Sequence, residues 1–197
     1  MVTVLIVLFL LGAIALPGIW VKRVLQRYSA PADRYRGRGS GAELARHLLD
    51  RYDLHDVAVE VTPAGDHYDP EARAVRLVED RYHGHSLTAI TVAAHEVGHA
   101  IQDARSEPLF RNRQQLAKLA VRGQQIGSVV MLAAPIVMLI SRSPGLGLAF
   151  LAVAIGSMLV GTLVHLVTLP VELDASFRKA LPMLEDGNYL HDGDLPH

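Results

Sequence analysis

The chain contains no cysteine. Disulfides, thiolate nucleophiles and cysteine-ligated metal sites are therefore excluded, and any metal must be held by His, Asp or Glu. Aromatic residues are scarce at 6%, although half of all residues are hydrophobic. The apolar excess is thus aliphatic, which suits lipid-facing helices better than an aromatic-rich core. Charge of either sign is nearly balanced, with a net of −1, so the overall electrostatics point neither to nucleic acid nor to an acidic partner. No internal repeat or low-complexity tract stands out.

What is present comes in runs. Residues 1–20, "MVTVLIVLFLLGAIALPGIW", carry no charged side chain and are long enough to span a bilayer. No basic segment precedes them, so they read as an uncleaved transmembrane helix rather than a signal peptide. Lys22, Arg23, Arg27, Arg34, Arg36 and Arg38 follow, against the single acid Asp33. The positive-inside rule then places this side of the membrane in the cytoplasm and the N-terminus outside. Residues 126–140 are apolar with Pro135 inside, and are short for a span unless Val121 onward contributes. "SRSPG" (141–145) is a turn, and 146–169 is a clear span with one polar intruder, His165. The chain thus divides into a first transmembrane helix (1–20), a core (21–125), a two-helix transmembrane hairpin (126–169) and a further helix with a polar tail (170–197).

Within the core, Ser40 and Glu43 form a candidate capping box, and Leu44, Ala45, Leu48 and Leu49 fall on one face of a helix over 41–51. "VAVEV" (57–61) alternates, and "GDHYDPEARAVRL" (65–77) holds an Asp69-Pro70 turn between extended pieces. Two or three short antiparallel strands are expected here. Gly84 and Ser86 open the next helix, and 109–125 is polar-amphipathic and helical.

The helix after Ser86 contains "TVAAHEVGHAIQ" (91–102). Residues four apart share a helical face, so His95 and His99 can bind one zinc ion, with Glu96 beside its water. Val92, Ala93, Ala94, Val97, Ala100 and Ile101 bury the helix, where a His-Glu-His group without partners would be costly. Gly98 costs about 1 kcal/mol against Ala in a helix interior, which implies close packing at that point. A catalytic site needs a third protein ligand. The long His-x-x-Gly-x-x-His extension is absent, because Gln102 and Arg105 stand in its places. A distant glutamate remains, and Glu172 lies in "LPVELDASFRKA" (169–180), at the exit of the last span. Two membrane crossings would return it to the side of the zinc helix. His165, seven residues earlier, shares its face if the helix runs through Pro170; it is either a partner of the site or a helix-packing histidine. His67, His83 and His85 are upstream alternatives that read as surface or loop residues.

The blocks "DHYDP" (66–70), "VRL" (75–77), "YHGHS" (82–86), "AAHEVGHAIQ" (93–102) and "LVTLPVELDAS" (166–176) resemble the YugP-like neutral zinc metallopeptidases of bacterial membranes. The arrangement is more distantly similar to HtpX-type and prenyl-protein membrane proteases, in which HEXXH pairs with a later glutamate-bearing helix. The resemblance implies an α+β membrane protein: a small zincin-like (gluzincin) catalytic core with the HEXXH helix and a short antiparallel sheet, plus transmembrane helices. It implies a multi-pass location in the bacterial inner membrane, with the catalytic domain facing the cytoplasm. It also implies Zn2+ on His95, His99 and Glu172, with Glu96 as base. Where the HtpX pattern has an aspartate four residues after its glutamate, Ser176 stands here; Asp174 is two residues on, and either could orient a ligand histidine. Chains of the YugP-like family continue into a further apolar segment, so a sequence ending in "DLPH" reads as truncated.

The activity expected is that of a zinc metalloendopeptidase acting on peptide or protein substrates, with no nucleic-acid partner. Zinc lowers the pKa of bound water to about 7, and Glu96 serves as general base. The substrate would lie extended against the edge of the strand around Val75–Val78. Tyr68, His67 and Tyr82 are candidate oxyanion donors. A zinc-stabilised membrane scaffold and a hydrolase of a non-peptide amide are the rival readings. Glu96 argues against the scaffold, since a structural zinc needs no base. Oligomeric state is not encoded in any motif.

Overall fold

The computed structural model describes residues 16–141, 144–191 and 193–194. Most of the span expected at 1–20 lies outside these residues; its end, from 16, begins a helix over 16–28 (α1). The order then runs α2 (Gly41–Arg51), β1 (Ala58–Val61), β2 (His67–Asp69), β3 (Ala74–Leu77), α3 (Glu79–Tyr82), α4 (Leu87–Ala104), α5 (Pro108–Ser141) and α6 (Pro144–Leu173). A π-helical stretch, Asp174–Ala180, follows α6 and leads into α7 (Leu181–Asp186). The architecture is mostly helical with one small sheet. It divides into two compact units: residues up to Ile101 together with Ser176 onward, and Gln102–Ala175.

In the first unit, α2 forms where its cap dictates. The Ser40 hydroxyl accepts from the Glu43 N–H, and the Glu43 carboxylate accepts from the Ser40 N–H at 2.7 Å. Two amides that the helix itself cannot satisfy are thereby paired. Leu44, Ala45, Leu48 and Leu49 are buried on its inner face. Arg46 closes the far end by donating to the carbonyls of Leu54 and Val57.

The sheet differs from the expected antiparallel one. Its order is β1-β3-β2, with β2 antiparallel and β1 parallel to β3. Alternating hydrophobicity says which face of a strand is buried but not which way its neighbour runs. Ala74, Val75 and Leu77 make β3 the most buried strand, so it takes the centre, and β1 pairs with its second edge instead of continuing a meander. One consequence follows for the substrate: β1 takes one edge of Ala74–Leu77 and β2 takes the other as far as Arg76, which leaves little of the expected Val75–Val78 edge for an extended peptide. α4 then enters from Ser86, whose hydroxyl accepts from the Ala89 N–H. Ala89, Ile90, Ala93, Ala94, Val97, Ala100 and Ile101 bury α4 on several sides, making it the central helix of the core.

In the second unit, the helix expected at 109–125 and the apolar run at 126–140 are one continuous helix, α5, which accommodates Pro135. It packs along α6, and the two are joined through residues 142–143, so they form a helical hairpin. Gly127 sits against Ser157, where an added Cβ would meet the serine hydroxyl at 2.8 Å; only glycine permits that approach. Among the described residues, one helical stretch is long and apolar enough to cross a membrane, Pro108–Val137. Phe110 near its start is buried, but further along its apolar side chains are uncovered, with Ile126, Val129 and Leu132 all more than half exposed. α6 runs through Pro170 and covers the expected 146–169 span. The side chain of His165 lies outside the described residues.

Candidate active site

α4 positions the first three candidates by its own periodicity. His95 and His99 stand on one face, their ring centroids 4.7 Å apart and nearly perpendicular, at 82°. His99 is buried and His95 half-buried. Glu96, one residue round the helix, is 7% exposed, so its carboxylate is largely withdrawn from bulk water.

Ser176 fixes one of the imidazoles. Its Oγ lies 3.0 Å from His95 Nδ1. With Nδ1 engaged, Nε2 is the nitrogen left for a metal, and the Nδ1–H would donate to the serine oxygen. Of the two residues the sequence offered for this role, Ser176 makes this bond to His95. Asp174 accepts from Gln102 Nε2 at 2.8 Å.

Arg81 lies within electrostatic reach of Glu96 and is itself paired with a carboxylate. Asp66, from the "DHYDP" block, is buried, accepts from the Val78 N–H at 2.9 Å and is ion-paired with Arg81. Burial pushes the Arg81 pKa below its ordinary value, and the negative charge of Glu96 opposes that shift. Arg81 was not singled out from the sequence. It lies in a short helix, α3, that carries no motif signal of its own.

The remaining candidate belongs to the second unit. Glu172 is half-buried near the end of α6, and Arg113 Nη2 from α5 meets its Oε1 at 2.6 Å. Gln102, 1% exposed, donates to the Val171 carbonyl at 3.0 Å as well as to Asp174, so it grips the backbone and side chain on either side of Glu172. Sequence reasoning noted Gln102 only as a departure from a longer motif. Its position seven residues after His95 puts it on the same helical face, and that spacing is the signal that could have found it.

The other candidates are held elsewhere. His67 Nδ1 lies 2.8 Å from the Gly65 carbonyl. His83 packs edge-on against Tyr82, and the His85 backbone bonds Ala32 and Tyr35. Tyr68 is buried in β2.

Two imidazoles on one face of α4, in a chain without thiolates, suit zinc. Comparison with known proteins agrees. The family described as "Putative neutral zinc metallopeptidase" matches residues 2–197. "Putative membrane protease YugP" of Bacillus subtilis (strain 168) is 35% identical over 169 residues, covering 85% of this chain and 71% of that protein. No solved structure matches significantly. The family implies Zn2+ as cofactor. With the match running over nearly its whole length, the HEVGH helix included, the chain belongs to this neutral zinc metallopeptidase family.

Proposed function

We propose that the protein is a membrane-bound zinc metalloendopeptidase of gluzincin type, in which His95, His99 and Glu172 hold the metal and Glu96 is the general base. When bound, zinc polarises the scissile carbonyl and lowers the pKa of coordinated water. Glu96 takes a proton from the attacking water and delivers it to the leaving amine. Ser176 keeps His95 in the tautomer that presents Nε2. Arg113 orients the Glu172 carboxylate through its bond to Oε1.

One observation carries this reading: the Ser176–His95 bond. Ser176 follows Glu172 by four residues, about one helical turn, so chain continuity favours Glu172 as the third ligand. The bonds that Gln102 makes to Val171 and Asp174 support the same choice. Membrane attachment rests on the apolar Pro108–Val137 helix and on the similarity to a protein named a membrane protease. The multi-pass topology with a cytoplasmic active site rests on the six basic residues between Lys22 and Arg38.

The test compares Glu96→Gln with Glu172→Ala. Glu96→Gln keeps its shape and loses the base, so zinc content, read by metal mass spectrometry, should match wild type while peptide turnover falls by roughly 10²–10⁴-fold. Glu172→Ala should lose zinc and turnover together. Tight zinc binding in Glu172→Ala would place the third ligand elsewhere. Wild type that binds zinc and cleaves nothing in a broad peptide library would favour the scaffold.

A further inference from the structure

A cavity of about 400 Å³ lies within the first unit, lined by Leu25 of α1, Leu87 of α4 and Leu181 and Leu184 of α7, with His95 forming part of its wall. Leu87, Thr91 and His95 are spaced four apart on α4, so the cavity continues the helical face that bears the candidate zinc ligands. A group filling it would lie directly against His95.

Apart from His95, whose Nε2 is left for a metal, the threonines, Ser176 and Asp194 in the wall have partners within the fold. The Thr88 hydroxyl donates to the Leu25 carbonyl at 2.8 Å, and the Thr91 hydroxyl donates to the Leu87 carbonyl at 2.9 Å. Both threonines therefore offer mainly hydrocarbon to the cavity. The Asp194 carboxylate accepts from Arg34 Nε at 2.7 Å and from the Tyr35 hydroxyl. Ser176 is bonded to His95. A charged or strongly polar occupant would lose its hydration and find these partners taken, at a cost of several kcal/mol by general transfer data. An apolar occupant would gain for each methylene buried.

We propose that this cavity is the specificity pocket of the enzyme, taking a large aliphatic or aromatic side chain of the peptide next to the bond that is cut. The assignment rests on the peptidase reading above. It selects substrates with Leu, Met or Phe beside the scissile bond and disfavours Asp, Glu and Lys at that position.

The experiment uses the full chain in lipid nanodiscs and has two arms. In the binding arm, Glu96→Gln is irradiated with peptides carrying a benzophenone side chain at the tested position. Crosslinks should map to residues 87–91 and 181–184. In the kinetic arm, wild type is given peptides that differ at one position. The kcat/KM for Phe or Leu should exceed that for Asp by about 100-fold or more. Ala180→Leu narrows the cavity, and its Phe-to-Ala preference should fall by roughly 10–200-fold. Leu181→Ala widens it and should shift preference toward Trp. Variants are compared only where zinc content and melting temperature match wild type, so that a uniform loss is not misfolding. Cleavage by wild type without side-chain preference, variants that move all peptides equally, or crosslinks confined to other segments would overturn the pocket and leave the peptidase reading intact. Crosslinking at the expected residues with no cleavage of any peptide by wild type would overturn the peptidase reading, and the role in specificity with it.

Discussion

Ser176 meets His95 through a single oxygen, so Ser176→Ala removes that bond and little volume. The imidazole then loses the partner that selects its tautomer and aims its ring. Zinc affinity should fall by about 10–100-fold, the usual cost of losing such an outer partner. Ser176→Thr, which keeps the hydroxyl, should recover most of it. Competition against a calibrated chelator checks both, and an affinity unchanged in Ser176→Ala would show that the bond is incidental. At this scale, His95, Glu96 and His99 are legible because their relation is local: a spacing of four on a helix is geometry a sequence displays. Ser176, Arg113 and Gln102 act on partners 81, 59 and 69–72 residues away. One sequence offers no record of such separations; the fold alone creates them.

Among the elements, α2 is the most legible, since both its cap and its buried face are written within twelve consecutive residues. Ser40→Ala removes the hydroxyl that accepts from Glu43 N–H and should cost about 1 kcal/mol of stability, within the 0.5–2 kcal/mol range for such caps. Urea unfolding of the full chain in detergent would read this as a lower midpoint with an unchanged slope, and Ser40→Asp should restore most of the loss. The strands are half legible. Alternation and the Asp69-Pro70 turn mark where they lie, but the parallel partnership of β1 with β3 depends on which strand the core buries most, a property of the packed unit. The two internal prolines mislead in the same way. A proline ordinarily breaks or kinks a helix, yet α5 and α6 continue through Pro135 and Pro170. Neighbouring helix surfaces and an apolar environment tolerate such a residue where isolated propensity does not.

For the whole molecule, both ends of the described chain build the first unit. Asp194 is buried and receives Arg34 and Tyr35, so residues some 160 positions apart are tied together. Burial alone would raise the Asp194 pKa, but the hydrogen bonds from Tyr35 and Arg34 outweigh it and hold the carboxyl below its ordinary range. A carboxylate with a depressed folded pKa stabilises above its unfolded value, about 3.9 for aspartate, and loses that contribution as pH falls through the folded value. Asp194→Asn should therefore lower the melting temperature clearly at pH 7, with the gap to wild type closing as the pH drops below about 3.9. A constant gap across that range would assign the effect to shape and not to charge.

The relation of the chain to the bilayer is argued at the same scale. α5 has 34 residues, about 51 Å at the helical rise, whereas a hydrocarbon core needs about 30 Å. Its first half carries Arg111, Arg113, Lys118 and Arg122, and its second half carries none of these. On the proposed topology the apolar half lies in the membrane, and the basic half projects from it on the side that the positive-inside rule assigns to the cytoplasm. Lys22, Arg23 and Arg27 on α1 favour the same side. The connector at 142–143 should then face outward. Because the chain has no cysteine, single probes can be placed without background. Ser40 is a poor choice for the cytoplasmic probe, being buried as well as a cap. Arg51, exposed at the end of α2, is a better one. In intact cells opened only at the outer envelope, a membrane-impermeant maleimide should label Ser143→Cys and spare Arg51→Cys, and permeabilisation should make both reactive. The reverse pattern would invert the topology and place the HEVGH helix outside the cytoplasm. Equal labelling of both sites before permeabilisation would mean that α5 and α6 do not cross the bilayer as a pair.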